Sequence, residues 1–413
     1  MLAGGKYGKS GVLFANFNQD FTCISVGTPE GFKIFNSEPY QLCYSQSNGG
    51  VGLIEMLFST SLVAIVGSGE GGSSQRRLLI NNIKTNLTIC DLNFVTAILA
   101  VKLNRKRLIV VMETKIHIYD INNMKLLETR DVDPNPKGLC ALSPQTTNFM
   151  VYPASQNKGN ILVMDVLTLE TVNLIQAHKG PISQLVLNQN GTMLATASEK
   201  GTVIRVYLLP NANKSISFRR GTYPAIIHSI TFSNDSKYLC VCSDNGTIHI
   251  FKIDFSANAN TSSLGAMSSY LPGVISQVWE PSRDFAHIKI QAGIPSICAL
   301  SQDNKTALVL MGDGLYLQYQ FDEQVGGELK LSQEYSLLRE PQLDEEKTTL
   351  FLHQQPTNKQ NINNNNNNNN SNSNSNNNSP TTTTNKEAQL NNINSQNINN
   401  NNNSIQQTTN GTN

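Results

Sequence analysis

Short runs of β-branched and aromatic residues recur along the chain as far as Gln354, and Gly, Asn, Asp and Pro separate them. Within many runs, apolar and polar residues alternate, which is the spacing of a strand with one buried face. Long stretches with the apolar spacing of a helix are hard to find. The pattern therefore predicts an all-β fold.

Seven of these runs share an ending, in which a turn is followed by alternating residues that close on a large apolar side chain. The anchors are Phe35, Ile80, Tyr119, Met164, Tyr207, Phe251 and Tyr319. The first six follow one another at intervals of 39 to 45 residues, which is the length of a four-stranded propeller blade. Seven anchors predict a seven-bladed β-propeller of the WD40-like type, a ring that leaves few exposed strand edges.

The predicted propeller covers residues 11–350, and three segments depart from its pattern. Residues 1–10 are expected to form a flexible arm. The step from Phe251 to Tyr319 is longer than the others, which predicts a loop over residues 256–285, inserted in blade 6. Residues 354–413 are rich in Asn, Ser, Thr and Gln, so they have too little apolar area to fold and are expected to be disordered.

Charge and cysteine content exclude several classes of protein. The chain has 31 basic and 30 acidic residues, so it has no broad basic field of the kind that nucleic-acid binding needs. Its seven cysteines lack zinc-type spacing, so we expect no metal and a reducing compartment. We expect neither a membrane span nor a secretory signal, because no apolar run is long enough to span a bilayer and the N-terminus has no apolar h-region.

Two glycine-rich segments resemble nucleotide loops only superficially. The segment from Ala3 to Ser10 lacks a preceding strand and the helix that a P-loop needs, so it is interpreted as part of the N-terminal arm. Gly67 to Gly72 lies between two strand-like runs and is interpreted as a hairpin loop in blade 2. No catalytic set can be named, so we predict neither an enzyme nor a cofactor.

Candidate chemistry concentrates between Gln176 and Lys252, around the adjacent Arg219 and Arg220. Both arginines are expected to be exposed at a turn. Neighbouring strand residues point to opposite sides, so the two could serve separate pockets, one toward each adjacent blade. Hydroxyl and imidazole groups flank both: His178, Ser183, Thr202 and Arg205 before them, and Ser243, Thr247 and His249 after them. Such a set suits phosphate, but a solvated turn would have the same composition, and the residues alone leave both interpretations open.

The run Phe218, Arg219, Arg220 and Gly221 looks like the FRRG signature of the PROPPIN (WIPI) family of phosphoinositide-binding seven-bladed propellers. The resemblance extends over roughly residues 11–325. It includes the segments Phe17 to Asn36, Leu62 to Glu70, Leu103 to Val111 and Asn135 to Ser143.

The resemblance implies a non-enzymatic effector of autophagosome formation. Such proteins bind phosphatidylinositol 3-phosphate and phosphatidylinositol 3,5-bisphosphate and recruit a lipid-transfer protein. The chain would then be cytoplasmic and recruited peripherally to preautophagosomal, phagophore and endosomal membranes. We expect a monomer in solution. The first headgroup site would contain His178, Ser183, Thr202, Arg205 and Arg219, and the second would contain Arg220, Ser243, Thr247 and His249.

Two further regions are implicated by the resemblance. It places a membrane-inserting loop in blade 6, where Tyr270, Leu271, Val274, Ile275 and Trp279 suit insertion through a short helix. The alternative is a loop that packs on blade 6. The family resemblance also implies a partner contact near Arg76 and Arg77, although Gln75 stands where relatives often have Pro. Competing functions are a protein-interaction scaffold without lipid binding and a propeller hydrolase.

Overall fold

The computed structural model describes residues 2–3, 11–145, 147–256 and 283–339. These residues form seven sheets, antiparallel except for one added parallel strand, and the sheets follow one another along the chain apart from that strand. All of them belong to one compact unit, Met1–Phe351. The prediction of an all-β, seven-bladed propeller is confirmed.

The first four blades contain strands β1 to β17. Blade 1 contains β1 (Leu2–Ala3), β2 (Phe14–Phe17), β3 (Cys23–Gly27), β4 (Phe32–Asn36) and β5 (Gln41–Gln46). Blade 2 contains β6 (Val51–Met56), β7 (Leu62–Gly67), β8 (Arg77–Asn82) and β9 (Leu87–Asn93). Blade 3 contains β10 (Ala100–Leu103), β11 (Arg107–Val111), β12 (Lys115–Asp120) and β13 (Leu126–Asp131). Blade 4 contains β14 (Ala141–Leu142), β15 (Phe149–Pro153), β16 (Gly159–Asp165) and β17 (Glu170–His178).

The last three blades contain the remaining strands. Blade 5 contains β18 (Ile182–Leu187), β19 (Met193–Ser198), β20 (Val203–Leu208) and β21 (Ser215–Arg219). Blade 6 contains β22 (Ile227–Phe232), β23 (Tyr238–Ser243), β24 (Thr247–Lys252), β25 (Ala286–Lys289) and β29 (Gly327–Glu328). Blade 7 contains β26 (Ser296–Leu300), β27 (Thr306–Met311), β28 (Leu315–Gln320) and β30 (Lys330–Ser336).

The apolar anchor of blade 1, Phe35, lies in β4, the other six anchors lie in the third strand of their blades, and all seven are buried. Each junction between neighbouring blades encloses one cluster of apolar side chains, and the seven clusters form a ring. The second strand of a blade is covered on both faces, as in β23, where every residue is buried. Such strands read as continuous apolar runs instead of alternating ones.

The ring closes between blade 7 and blade 1 through side chains. The ring of Tyr40 packs on Tyr335 with centroids 4.4 Å apart and on Phe35 at 5.1 Å. Tyr316 Oη and Gln318 Nε2 each donate a hydrogen bond of 3.0 Å to the Ser37 carbonyl oxygen. Aromatic packing and these hydrogen bonds therefore hold the two terminal blades together.

Blade 6 departs from the four-strand pattern in two ways. Its third and fourth strands, β24 and β25, are separated by residues 253–285, at the position where the sequence predicts an inserted loop. Its fifth strand, β29, comes from the segment between β28 and β30 and pairs in parallel with β25. Blade 7 thus supplies the outer edge of blade 6.

Three predictions concern segments that lie largely outside the described residues: the arm over residues 1–10, most of the loop over 256–285 and the tail over 354–413. Of the arm, the structure describes only β1, which pairs with Phe14 and Ala15. Among the described residues, no helix has the length and apolarity needed to span a membrane.

Candidate anion-binding face of blades 4, 5 and 6

The two faces of blade 5 pack against different neighbours. Phe218 belongs to the apolar cluster shared with blade 6, and its ring stacks on Phe251 with centroids 4.9 Å apart. Tyr207 belongs to the cluster shared with blade 4. Arg219 therefore faces the blade 4 side, because it follows Phe218 on β21 and adjacent strand residues point to opposite sides.

The face toward blade 4 collects the polar residues of blade 5. In the register of the sheet, Arg205 pairs with Thr196 on one side and with Ser217 on the other. Arg219 pairs with Val203, two residues along the same face. Cross-strand pairs share a face of the sheet, so Arg205 and Arg219 are diagonal neighbours.

Arg205 links this face to blade 4. Its Nη1 donates to the Ala177 carbonyl oxygen and lies 3.5 Å from His178 Nδ1. His178 Nε2 is 3.0 Å from Thr196 Oγ1. Burial, together with the positive charge of Arg205, lowers the pKa of His178 to about 4, so this imidazole is neutral at pH 7. Arg205 therefore supplies positive charge here, and His178 adds a neutral imidazole.

Ser183 and Thr202 are polar residues of blade 5 near the start of β18 and directly before β20. Ser183 is at an irregularity of β18, and its Oγ donates to the carbonyl oxygens of Ala197 and Ser198, at 3.3 and 2.9 Å. The Thr202 carbonyl oxygen accepts from the Arg220 amide at 3.0 Å. Thr202 thus fixes the end of β21, where the two arginines diverge.

Arg219 and Arg220 differ in their surroundings. Arg219 is exposed, and among the described residues its side chain has no hydrogen bond or ion pair. Arg220 is only 5% exposed. Its Nε donates to the Gly201 carbonyl oxygen at 2.9 Å, and its Nη2 donates to that of Tyr223 at 2.5 Å.

The expectation of two exposed arginines is therefore correct for Arg219 and wrong for Arg220. The two carbonyl acceptors of Arg220 lie on the blade 5 turn at Gly201 and on the connector to blade 6. With the Asn245 amide oriented to satisfy its neighbours, its oxygen accepts from Arg220 Nη1 at 2.6 Å. Burial lowers the pKa of Arg220, and Asp244 opposes that shift. Arg220 thus fastens blade 5 to blade 6 while it carries positive charge there.

The residues of the second predicted site share one face of blade 6. Val241 and Phe251 belong to the cluster with blade 5. Ser243 lies two residues after Val241, and His249 and Thr247 lie two and four residues before Phe251. Val241 also pairs with His249. Ser243 is buried and its Oγ has no partner among the described residues. His249 Nδ1 lies 2.9 Å from Asp284 Oδ2.

The structure adds two basic residues to this face that sequence reasoning missed. His287 pairs with His249, and Lys289 pairs with Thr247, so both lie beside the predicted residues. Lys289 Nζ is 2.9 Å from Glu328 Oε2, and His287 Nδ1 is 3.6 Å from Asp284 Oδ2. Ala286 and Ile288 are buried in β25, so alternation along this strand could have assigned His287 and Lys289 to the opposite face. The long insertion before β25 hides its pairing register with β24 from the sequence.

The remaining predicted residues lie elsewhere. Arg76 and Arg77 are exposed on blade 2, and Arg77 forms an ion pair of 2.6 Å with Asp91. The predicted membrane-inserting residues lie outside the described residues: Tyr270, Leu271, Val274, Ile275 and Trp279. Within the described ranges, no group of three or more His, Cys, Asp or Glu could hold a metal ion.

Comparison with known proteins matches most of the chain to one family. A family model described as PROPPIN matches residues 12–338. Autophagy-related protein 18 of Dictyostelium discoideum is 71% identical over 373 residues, covering 85% of this chain and 100% of that protein. The protein of the same name from Yarrowia lipolytica is 41% identical over 387 residues, covering 79% and 96%.

Solved structures give the same fold. One is described as the complex of KlAtg21 with the coiled coil of AgAtg16. It matches with a TM-score of 0.66 and 31% identity, over 79% of this chain and 99% of the other. Kluyveromyces lactis Hsv2 with complete loop 6CD matches with a TM-score of 0.64 and 24% identity, over 79% and 99%.

Proposed function

The chain belongs to the PROPPIN family, and on that premise we propose that it binds phosphatidylinositol 3-phosphate and phosphatidylinositol 3,5-bisphosphate on membranes and acts in autophagosome formation. The observation that carries the proposal is the divergence of Arg219 and Arg220 to opposite faces of blade 5. Each face has its own polar set, so one short sequence serves two anion sites.

The first site would hold a headgroup phosphate between blades 4 and 5. Arg219 is exposed and its guanidinium can form a bidentate contact with phosphate oxygens. Arg205 and His178 are already fixed in position, which reduces the ordering cost of binding. Ser183 and Thr202 supply hydroxyl groups at the rim.

The second site would lie between blades 5 and 6. Arg220 supplies charge from a buried position, and Ser243, Thr247 and His249 supply side-chain donors. His287 and Lys289 lie on the same face, where Asp284 and Glu328 hold them in the absence of a ligand. A phosphate that arrives here competes with these carboxylates, so we expect the second site to be weaker and more salt-sensitive than the first.

The wider role follows from family membership. Relatives named autophagy-related protein 18 support a role in autophagy, and the Atg21 structure contains the Atg16 coiled coil, which supports protein partners. We propose a non-enzymatic effector that is recruited peripherally to phagophore and endosomal membranes and itself recruits a lipid-transfer protein. Arg76 and Arg77 are the candidate contact on blade 2. A scaffold without lipid binding is the alternative.

Vesicle co-sedimentation separates these functions. Purified protein should sediment with phosphatidylcholine vesicles that contain phosphatidylinositol 3-phosphate and remain in solution with phosphatidylcholine alone. The Arg219→Thr variant should lose most of the binding to the first site. Equal sedimentation with both vesicle types, or none with either, would contradict the proposal.

A further inference from the structure

The connector between blades 5 and 6, residues Gly221–Ile226, lies between the two candidate sites. It begins directly after Arg219 and Arg220 and ends where β22 starts. Its far end lies against the β23–β24 turn, which separates Ser243 from Thr247. A flat surface that contacts both sites therefore has to pass over this connector.

The connector is fixed along its length. Arg220 Nη2 donates to the Tyr223 carbonyl oxygen, the Ala225 amide donates to that of Lys200 at 3.2 Å, and the Ile226 amide donates to Asp244 Oδ1 at 3.1 Å. These bonds attach the backbone to blade 5 at two points and to blade 6 at one. The position of its side chains is thus set before any ligand binds.

Two apolar side chains of this fixed segment face solvent. Tyr223 is 79% exposed and Ile226 is 67% exposed, whereas Ala225 and Ile227 are buried. The hydrogen bonds fix the backbone positions of both residues, and Ile226 also borders a cavity that Gln184 and Ile227 line. Exposed apolar residues rimmed by polar groups mark interaction surfaces.

The charges around these side chains indicate what covers them. Arg219 and Lys200 are exposed beside the connector. The nearby acidic groups are engaged, since Asp244 accepts from Ile226 and Glu199 pairs with Lys137 at 2.8 Å. Tyrosine and aliphatic side chains next to basic residues suit the headgroup region of a bilayer with anionic lipids. The connector that carries both side chains is hydrogen-bonded to Arg220 of blade 5 and to Asp244 of blade 6, next to the two candidate phosphate sites.

We propose that Tyr223 and Ile226 form an apolar anchor that enters the headgroup region of an anionic bilayer while the flanking sites hold headgroup phosphates. The inference rests on the proposed function and adds a second membrane contact, separate from the loop over residues 256–285. The anchor adds apolar contact with the membrane and no contact with the headgroup itself.

A double variant, Tyr223→Ser with Ile226→Ser, tests the anchor. Its affinity for phosphatidylcholine vesicles with phosphatidylinositol 3-phosphate should fall about tenfold or more, because two large apolar side chains no longer leave water. Its affinity for soluble inositol 1,3-bisphosphate, measured by calorimetry, should stay unchanged. The matched control is Val95→Ser with Leu87→Ser, which removes side chains that are 89% and 64% exposed in and just after β9 of blade 2. This control should bind vesicles as the wild type does.

A fluorescence measurement gives an independent result. Trp279 is the only tryptophan in the chain, so Trp279→Phe combined with Tyr223→Trp reports on position 223 alone. Its emission should shift to the blue, and brominated lipid should quench it when vesicles bind.

Three results would contradict the proposed membrane contact of Tyr223 and Ile226. The first is a Tyr223→Ser, Ile226→Ser variant that binds vesicles with wild-type affinity. The second is a loss of affinity for the soluble headgroup that equals the loss for vesicles. The third is a tryptophan at position 223 whose emission is unshifted when vesicle binding is saturated. The proposed function fails differently: the wild type then binds neither vesicles nor the headgroup, and the inference falls with it.

Discussion

Arg219 and Arg220 are consecutive residues, yet the first is exposed on the blade 4 side and the second is buried against blade 6. The divergence follows from strand alternation at the end of β21. Its consequence is that equivalent substitutions at the two positions differ in their effect on stability.

Replacement of Arg220 with Thr should destabilise the propeller, whereas Arg219→Thr should not. Arg220→Thr leaves the carbonyl oxygens of Gly201 and Tyr223 without their donor, which should lower the free energy of unfolding by about 1–3 kcal/mol. Arg219 is exposed and unpaired among the described residues, so its loss should change that free energy by at most about 0.5 kcal/mol. Urea denaturation of both variants provides the measurement.

The double variant separates folding from binding. It should remain folded with the stability of Arg220→Thr and should lose sedimentation with phosphoinositide vesicles, whereas each single variant keeps weaker binding through the other site. Wild-type stability in Arg220→Thr would mean that its hydrogen bonds contribute nothing. Wild-type sedimentation by the folded double variant would remove the arginines from the site.

Gly221→Ala tests whether the glycine of this motif serves the fold or a ligand. A Cβ at position 221 meets no atom within 4 Å, and the backbone there is outside the left-handed region, so stability should be unchanged or slightly higher. If the backbone at Gly221 approaches a phosphate, the same change should weaken vesicle binding several-fold. Binding equal to that of the wild type would exclude this approach.

The matched control for that substitution is Gly201→Ala. Gly201 has a φ of +63°, and a Cβ there would collide with the Ala225 carbonyl oxygen, so this variant should unfold at a lower urea concentration. The comparison distinguishes a position whose backbone conformation requires glycine from a position that has room for a side chain.

His178 should make the propeller less stable in acid. Its folded-state pKa of about 4 is below the usual value of 6.5, so between these values the unfolded chain binds more protons and stability falls as the pH is lowered. The slope has an upper limit of about 1.4 kcal/mol per pH unit inside this window. Burial also lowers the pKa values of His117 and His228, which adds to the total.

The variant His178→Gln isolates the contribution of this residue. Denaturation series at pH 7, 6 and 5 should give a shallower decline for His178→Gln than for the wild type. Parallel declines would show that the imidazole does not titrate in this range. Phosphate bound beside His178 should raise its pKa, so vesicle binding should strengthen on mild acidification and do so less in the variant.

The loop over residues 256–285 should enter the bilayer through its apolar residues. Substitution of Leu271, Ile275 and Trp279 with Asp or Ser should weaken vesicle binding strongly and leave soluble headgroup binding intact, because only the apolar transfer is lost. Trp279 emission should shift to the blue when vesicle binding is saturated. An unshifted spectrum would place the tryptophan in water and contradict the prediction.

Deletion from Gln355 onward should leave vesicle affinity unchanged. The removed segment has only three charged side chains, Lys359, Lys386 and Glu387, and few apolar residues, so it offers the membrane little. Co-sedimentation of the truncated and full-length chains provides the comparison, and a several-fold loss would assign the tail a role in binding.

The sequence predicted the blade count because one strand of each blade carries a large buried apolar residue such as Phe251. It also predicted the two-sided arrangement of Arg219 and Arg220, because alternation is a local property. The burial of Arg220 could not be predicted, since its acceptors come from separate turns that meet only when the blades pack. Lys289 was missed because the register of β25 follows a long insertion and carries no local signal.

The short strand β29 gives β25 of blade 6 a second hydrogen-bonded neighbour, which should make β25 harder to detach by force. A long loop between the third and fourth strands of a blade would ordinarily pull on an outermost strand held along one edge only. Here β25 lies between β24 and β29, so a force on the loop would have to break two ladders, one of them anchored in blade 7. If the membrane pulls on that loop, two blades share the strain, and the second candidate site keeps its shape.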